Sequence, residues 1–290
     1  MLHLPGVNAY AFWRPDVLGL VLLIAVLYLV LTGGRRAPDN AEEKMFSAAL
    51  SPTDSEVASP RSGRELPPAG DKLTWRWRLA FFSGLFILYI TMGPLATLAE
   101  QFSFTAYVLQ MVLGSLILPW LLIFSLPPSL IQQLLSIRWM HRILATFTRP
   151  IPAMIVFNAL LSATLVPWVL DALIRYNWLH VLAQNLIFLA AIFFWWPIVN
   201  PLPEFPPLTR GQRILYIAYS SNFMMPIIVL LFISTTSWYP LLASGAREIG
   251  LNPLQDQQMG ALLMLLSMYI IYGSLAFREF VHHDESVWYD

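Results

Sequence analysis

The chain has 290 residues, 57% of them hydrophobic and only 12% charged, whereas a typical soluble domain carries about 25% charged residues. Basic and acidic residues number 17 each, for a formal net charge of zero, so no global field points to nucleic acid or to a strongly charged partner. Cysteine is absent, which excludes disulfides, thiolate metal sites and thiol redox chemistry and leaves Met and His as the soft metal donors.

Met1 to Ala11 contains neither Lys nor Arg, and the apolar run behind it ends in Thr32-Gly33-Gly34-Arg35-Arg36 rather than in a small-residue cleavage site. It reads as a retained first span, not as a secretion signal. A spanning helix needs roughly 20 apolar residues, and seven segments qualify: 15–33, 79–98, 104–126, 151–171, 178–199, 213–235 and 257–277. Hydrocarbon offers no water to backbone polar groups, so these runs are expected to be helices. Pro94, Pro119, Pro167 and Pro226 interrupt them, which a packed bundle tolerates when neighbouring helices satisfy the freed carbonyls. Residues 34–72 are rich in Pro, Ser, Ala, Glu and Arg without an apolar period, a composition that buries too little to become ordered. The expected class is all-α, a polytopic transmembrane bundle. Its parts are a tail and first helix at 1–33, a disordered cytoplasmic loop at 34–78, a six-helix membrane bundle at 79–277 and a cytoplasmic tail at 278–290. No internal repeat suggests an inverted-repeat transporter.

Basic residues fix the expected orientation. The first loop carries Arg35, Arg36, Lys44, Arg61, Arg64, Lys72, Arg76 and Arg78; the third Arg138, Arg142 and Arg149; the fifth Arg210 and Arg213; the C-terminal tail Arg278. The opposite side has only Arg14, Arg175 and Arg247. The positive-inside rule then places the N-terminus outside and the C-terminus in the cytoplasm. Trp75 and Trp77, Trp195-Trp196-Pro197 and Trp238-Tyr239-Pro240 occupy interfacial positions that suit an amphipathic ring.

Polar groups at membrane depth are costly unless they face the bundle interior or water. Several gather at the outer ends of the expected spans: Tyr107, Gln110 and Met111; His180, Gln184 and Asn185; Asp256, Gln257 and Gln258; with Glu100 and Gln101 close by. Tyr107 and Met111 are four apart, as are His180 and Gln184, so each pair projects from one helix face. Facing one another they would line a small polar pocket, in which His180 and Met111 form a soft donor pair suited to Cu(I). Each residue also has a plainer reading. Met111 fills packing gaps, Tyr107 and His180 sit in the interfacial belt, and Asp256 and Gln257 belong to a helix start. His282-His283 stand in the tail beside Asp284 and Glu285 as a solvated pair. No Ser-His-Asp, P-loop or His-Glu-x-x-His pattern occurs, so the chain is not expected to be an enzyme.

At these residues the chain resembles the CtaG family, the seven-helix cytochrome c oxidase assembly factors of Gram-positive and related bacteria. The resemblance rests on Phe12-Trp13-Arg14-Pro15-Asp16, on Trp77-Arg78-Leu79-Ala80-Phe81-Phe82, and on the stretch from Gly93-Pro94-Leu95 through Phe104–Met111 to Leu126-Pro127. His180 to Phe188, Phe194-Trp195-Trp196-Pro197 and Asp256-Gln257-Gln258-Met259-Gly260 complete it. It implies a role at the outer face of the bacterial plasma membrane, with haem-copper oxidase subunits and the lipid bilayer as partners, no nucleic acid, and copper as a possible cofactor. Family members read His-Met-Leu-Gln-His where this chain has Tyr107-Val108-Leu109-Gln110-Met111, and a histidine where it has Gln184. His180 alone remains of four family histidines, with Met111 the one replacement that keeps a soft donor.

The expected function is thus a membrane-embedded assembly or accessory factor for a haem-copper cytochrome c oxidase, its outward polar pocket derived from a copper site. Two alternatives are a metal-free scaffold subunit and a small-solute or ion permease. For the permease, mid-span Asn158 and Asn222 with Pro226 would line the path.

Overall fold

The computed structural model describes residues 12–33, 75–126, 131–132, 136–199 and 208–281. Among them every regular element is helical. In chain order these are α1 (Pro15–Gly33), α2 (Trp75–Met92), α3 (Pro94–Gln101), α4 (Phe104–Val112), a π turn (Leu113–Ile117) and α5 (Leu118–Ser125). Then follow α6 (Arg138–Phe147), α7 (Pro150–Ala163), α8 (Pro167–Arg175), α9 (Asn177–Val199), α10 (Arg210–Phe223), α11 (Met225–Ile233), α12 (Pro240–Glu248) and α13 (Pro253–Val281). Proline occupies the first turn of α3, α5, α7, α8, α11 and α12, where its missing N–H costs nothing and its fixed φ suits the helix.

Among the described residues five stretches are long and apolar enough to cross a membrane: Trp77–Gln101, Phe104–Ser125, Asn177–Val199, Arg210–Ile233 and Pro253–Phe280. The chain is therefore a multi-pass membrane protein. The expected span at 151–171 is broken: α7 and α8 meet at 75° and make a sixth crossing only if taken together. The cause is local. Pro167 offers no N–H and forces Val166 out of the helical region, to φ −72° and ψ 127°. The apolar stretch of α1, Pro15–Val30, is shorter than the others. Of the expected 34–78 loop, residues 34–74 lie outside the described residues and Trp75–Arg78 already belong to α2. Arg278–Val281 continue α13, and the rest of the tail, with His282 and His283, is likewise outside the described residues. Two helices in expected loops, α6 and α12, complete the set.

A single core runs through the bundle. Phe194 sits at its centre, stacked on Phe157 at 4.6 Å and on Tyr216 at 5.2 Å, with Trp195 edge-on at 5.4 Å. Offset and edge-to-face aromatic contacts of this kind add about 0.5–1.5 kcal/mol each beyond area burial. Met224, Met264 and Met268 fill the gaps around them. Helix α1 stands apart, forming a separate cluster of Val17, Val21 and Tyr28 against Phe81 and Leu85 of α2. Its far side leaves Leu23 and Val30 about two-thirds exposed, as expected for a face in contact with lipid.

Polar side chains hold the ends together. Asn158 Nδ2 donates to Ser220 Oγ at 2.8 Å, joining α7 to α10 in a fully buried position. Arg213 Nη1 meets Glu279 Oε1 at 2.8 Å, while Arg210 Nη2 donates to the carbonyls of Glu279 and Phe280, so α10 caps the end of α13. Gly245 lets α12 lie on the end of α3: a β-carbon there would fall on the Gln101 carbonyl. Gly245→Ala should lower stability by about 1–3 kcal/mol through overpacking. Gly19→Ala, where a β-carbon meets nothing within 4 Å, should be neutral or slightly stabilising; thermal unfolding of the purified protein compares the two.

Candidate functional site

The break at Gly93-Pro94 and the turn at Phe102-Ser103 bring α2, α3 and α4 together at one end of the bundle. Ser103 caps α4, its hydroxyl accepting from Ala106 N at 3.2 Å. Asp256, arriving from α13, completes this cap. Its carboxylate accepts from Ser103 Oγ at 2.8 Å, Phe104 N at 2.6 Å and Thr105 N at 3.3 Å, and its carbonyl from Thr105 Oγ1 at 2.8 Å. A carboxylate over the amides at the start of α4 also complements the helix dipole. Gln257 does similar work one residue on, accepting from Trp238 N at 2.7 Å and donating to Leu231 O at 3.0 Å. The sequence offered these side chains both a place in the pocket and a place at a helix start, and the cavity lining does not include them. They instead tie α13 to the start of α4 and to the end of α11, because backbone groups at helix ends must find partners.

Beside this junction lies a cavity of about 390 Å³. Tyr107, Gln110, Met111, His180, Gln184 and Asn185 all line it, so six of the eleven residues grouped in the sequence converge there, and Glu100, Gln101, Asp256, Gln257 and Gln258 are not in the lining. Leu85, Leu88, Thr91 and Met92 form one wall, from α2. His180, Ala183, Gln184, Ile187 and Phe188 form the other, from α9, and the α4–π–α5 run is the floor. Polar groups cluster at the end near Tyr107 and His180, and the far end is apolar, with Ile24, Leu118 and Leu122.

Most of the polar groups here are already engaged. Gln110 Nε2 donates to Thr91 O at 2.8 Å, satisfying a carbonyl left over where α2 ends. Asn185 Nδ2 turns back to Val181 O at 2.7 Å. The Thr164 hydroxyl faces two acceptors, Leu161 O at 2.8 Å and Met111 Sδ at 3.6 Å, and the nearer carbonyl takes the stronger bond. His180 is buried, with Nε2 at 3.2 Å from Glu100 Oε1. That is ion-pair distance, yet Nε2 is in hydrogen-bond alignment with no described group. Glu100 is half-buried at the end of α3.

Sequence reasoning did not foresee the His180–Glu100 contact, which joins residues 80 apart in the chain on no shared periodicity. It also passed over Gly114, Ser115 and Thr164. Gly114 lies on the cavity wall, and a β-carbon there would meet nothing within 4 Å.

Donors for a copper ion are few here. The lining supplies one imidazole, whose Nε2 faces a carboxylate, and two thioethers, Met92 and Met111, the latter bordering a threonine hydroxyl. Among the described residues no group of three or more His, Cys, Asp and Glu is placed to hold a metal. Phenol and carboxamide, the side chains of Tyr107 and Gln184, are poor ligands for Cu(I).

The model of the cytochrome c oxidase caa3 assembly factor family, Caa3_CtaG, matches residues 60–283. The chain belongs to this family. No curated protein and no solved structure matches it. The matched region begins after α1 and contains the whole cavity except Ile24. Family membership makes this an assembly-factor chain in a bacterial family, and it points to a non-catalytic role in contact with oxidase components.

Asp256→Ala would strand the amides of Phe104 and Thr105 and the Ser103 hydroxyl. The expected loss is about 2–3 kcal/mol, with Asp256→Asn intermediate, as read from thermal unfolding in detergent.

Proposed function

We propose that this protein is an assembly or accessory factor for a haem-copper cytochrome c oxidase, acting in the bacterial plasma membrane as a seven-span scaffold that does not depend on copper. The family match over 60–283 carries this reading. The donor set of the cavity favours its metal-free form. In the seven-span arrangement α1 is the first crossing and α7 with α8 the fourth. The N-terminus is outside, the C-terminus is cytoplasmic, and the polar end of the cavity opens outwards. Oxidase subunits are the protein partners. They would meet the lipid-exposed faces of the bundle, where helix association depends on close packing and a few interhelical hydrogen bonds.

A permease finds less support. Asn158 is committed to Ser220, and Asn222 donates to Ala218 O of its own helix at 2.8 Å. Only Asn158 fastens one helix to another, Asn222 turns back on its own, and neither supplies the paired charged groups that coupled transport uses at membrane depth.

Because the chain has no cysteine, one introduced cysteine reports its own location. Ser55→Cys should react with an impermeant maleimide only after the cells are opened, and Ser237→Cys should react in intact cells. The reverse pattern would overturn the orientation. Deleting the gene should lower assembled oxidase, read as haem a absorbance and cytochrome c oxidation in membranes. Re-expression of His180→Ala or Met111→Ala should restore both to wild-type levels. Normal oxidase in the deletion strain would end the assembly reading, and failure of both variants with copper bound only by the wild type would restore a metal role.

A further inference from the structure

We propose that the cavity between α2 and α9 is a binding site for an uncharged, single-tailed lipid whose hydrogen-bonding head meets His180. Shape comes first. The cavity follows the helical floor from Tyr107 to Leu122, a run of about 20 Å at 1.5 Å per residue. At about 390 Å³ the cavity has the size of a site for one small ligand, and its length exceeds its breadth. One hydrocarbon chain suits that shape.

The chemistry of the two ends sets the ligand's polarity. Ile24, Leu118, Leu122, Ile187 and Phe188 surround the deep end and match an apolar tail. At the other end His180 is only 6% exposed, and its Nε2 makes no aligned hydrogen bond. A buried nitrogen in that condition costs about 1–3 kcal/mol unless something fills its valence, and His180 is among the residues that line the cavity. Head charge is also decided. Among the described residues no Lys or Arg lines the cavity, and the Glu100 carboxylate lies 3.2 Å from the same nitrogen. A carboxylate or phosphate head would therefore sit unpaired beside a like charge. An uncharged hydroxyl or carbonyl head would not. Prenylated quinones and long-chain alcohols share this chemistry.

Gly114 supplies the test. A β-carbon there meets nothing within 4 Å and the residue lines the cavity, so Gly114→Leu narrows the slot, and Ala183→Leu narrows it from the α9 wall. The full-length protein in nanodiscs is titrated separately with a decyl-substituted benzoquinone and with dodecanol, and dodecanoate at pH 8 serves as the charged competitor. Saturable binding of at least one neutral probe is expected, at least tenfold weaker in Gly114→Leu and Ala183→Leu, with unchanged unfolding temperature in at least one of them. Dodecanoate should compete at least tenfold less well than dodecanol or the quinone. Saturation by the quinone alone assigns a ring-headed ligand, and by dodecanol alone a chain alcohol. Equal affinity in all three proteins, uptake of both probes that never saturates, or competition by dodecanoate as strong as by the neutral probes would overturn the proposal. The assay contains no oxidase, so its outcome is read independently of the assembly role.

Discussion

Backbone amides and carbonyls at membrane depth have no solvent to turn to, and this chain breaks its helices repeatedly. Each break strands a few of these groups, and a side chain from elsewhere in the bundle meets them. Gln110 covers Thr91 O where α2 ends. The Tyr239 hydroxyl donates to Leu165 O at 2.7 Å, at the bend between α7 and α8. Asp256 and Gln257 serve the start of α4 and the end of α11. These bonds also order the helices in space, since each joins elements distant in the chain. The polar residues inside the bundle are thus mostly fasteners, and those left over stand out by contrast.

That rule explains how far the sequence could be read. Of the seven long apolar runs, five are single stretches long enough to span, one is a bent pair and the first is a shorter apolar helix. The i, i+4 pairs Tyr107/Met111 and His180/Gln184 were correctly seen to share faces, since that follows from helical geometry. Asp256 and Gln257 looked equally like site residues, yet the groups they satisfy lie about 150 and 20 residues away and leave no periodic trace. The bend before Pro167 was visible as a proline but not as a 75° turn, because only the surrounding packing decides whether a proline kinks or breaks a helix. Helix α6 was hidden in a loop for a different reason. Its apolar residues form a stripe beside Arg138 and Arg142, which lowers overall hydrophobicity below any spanning threshold.

Two of the cavity's lining residues are also built into the core. Tyr107 is buried in the core cluster beside Phe104, and Met111 packs against the same core. A phenol and a thioether at these places supply packing surface and no ligating nitrogen. The cavity is consequently greasier than a metal site requires, while its position relative to α2, α4 and α9 follows from the fasteners and not from the donors.

The π turn at Leu113–Ile117 lies in the floor of the cavity, where Gly114 and Ser115 belong to the lining. Such a turn takes up one residue more than the α-helix around it needs. The surplus is absorbed locally, so Phe104–Ser125 still runs as one span. What changes is the winding just where the cavity is lined, a place at which single π turns often accompany function.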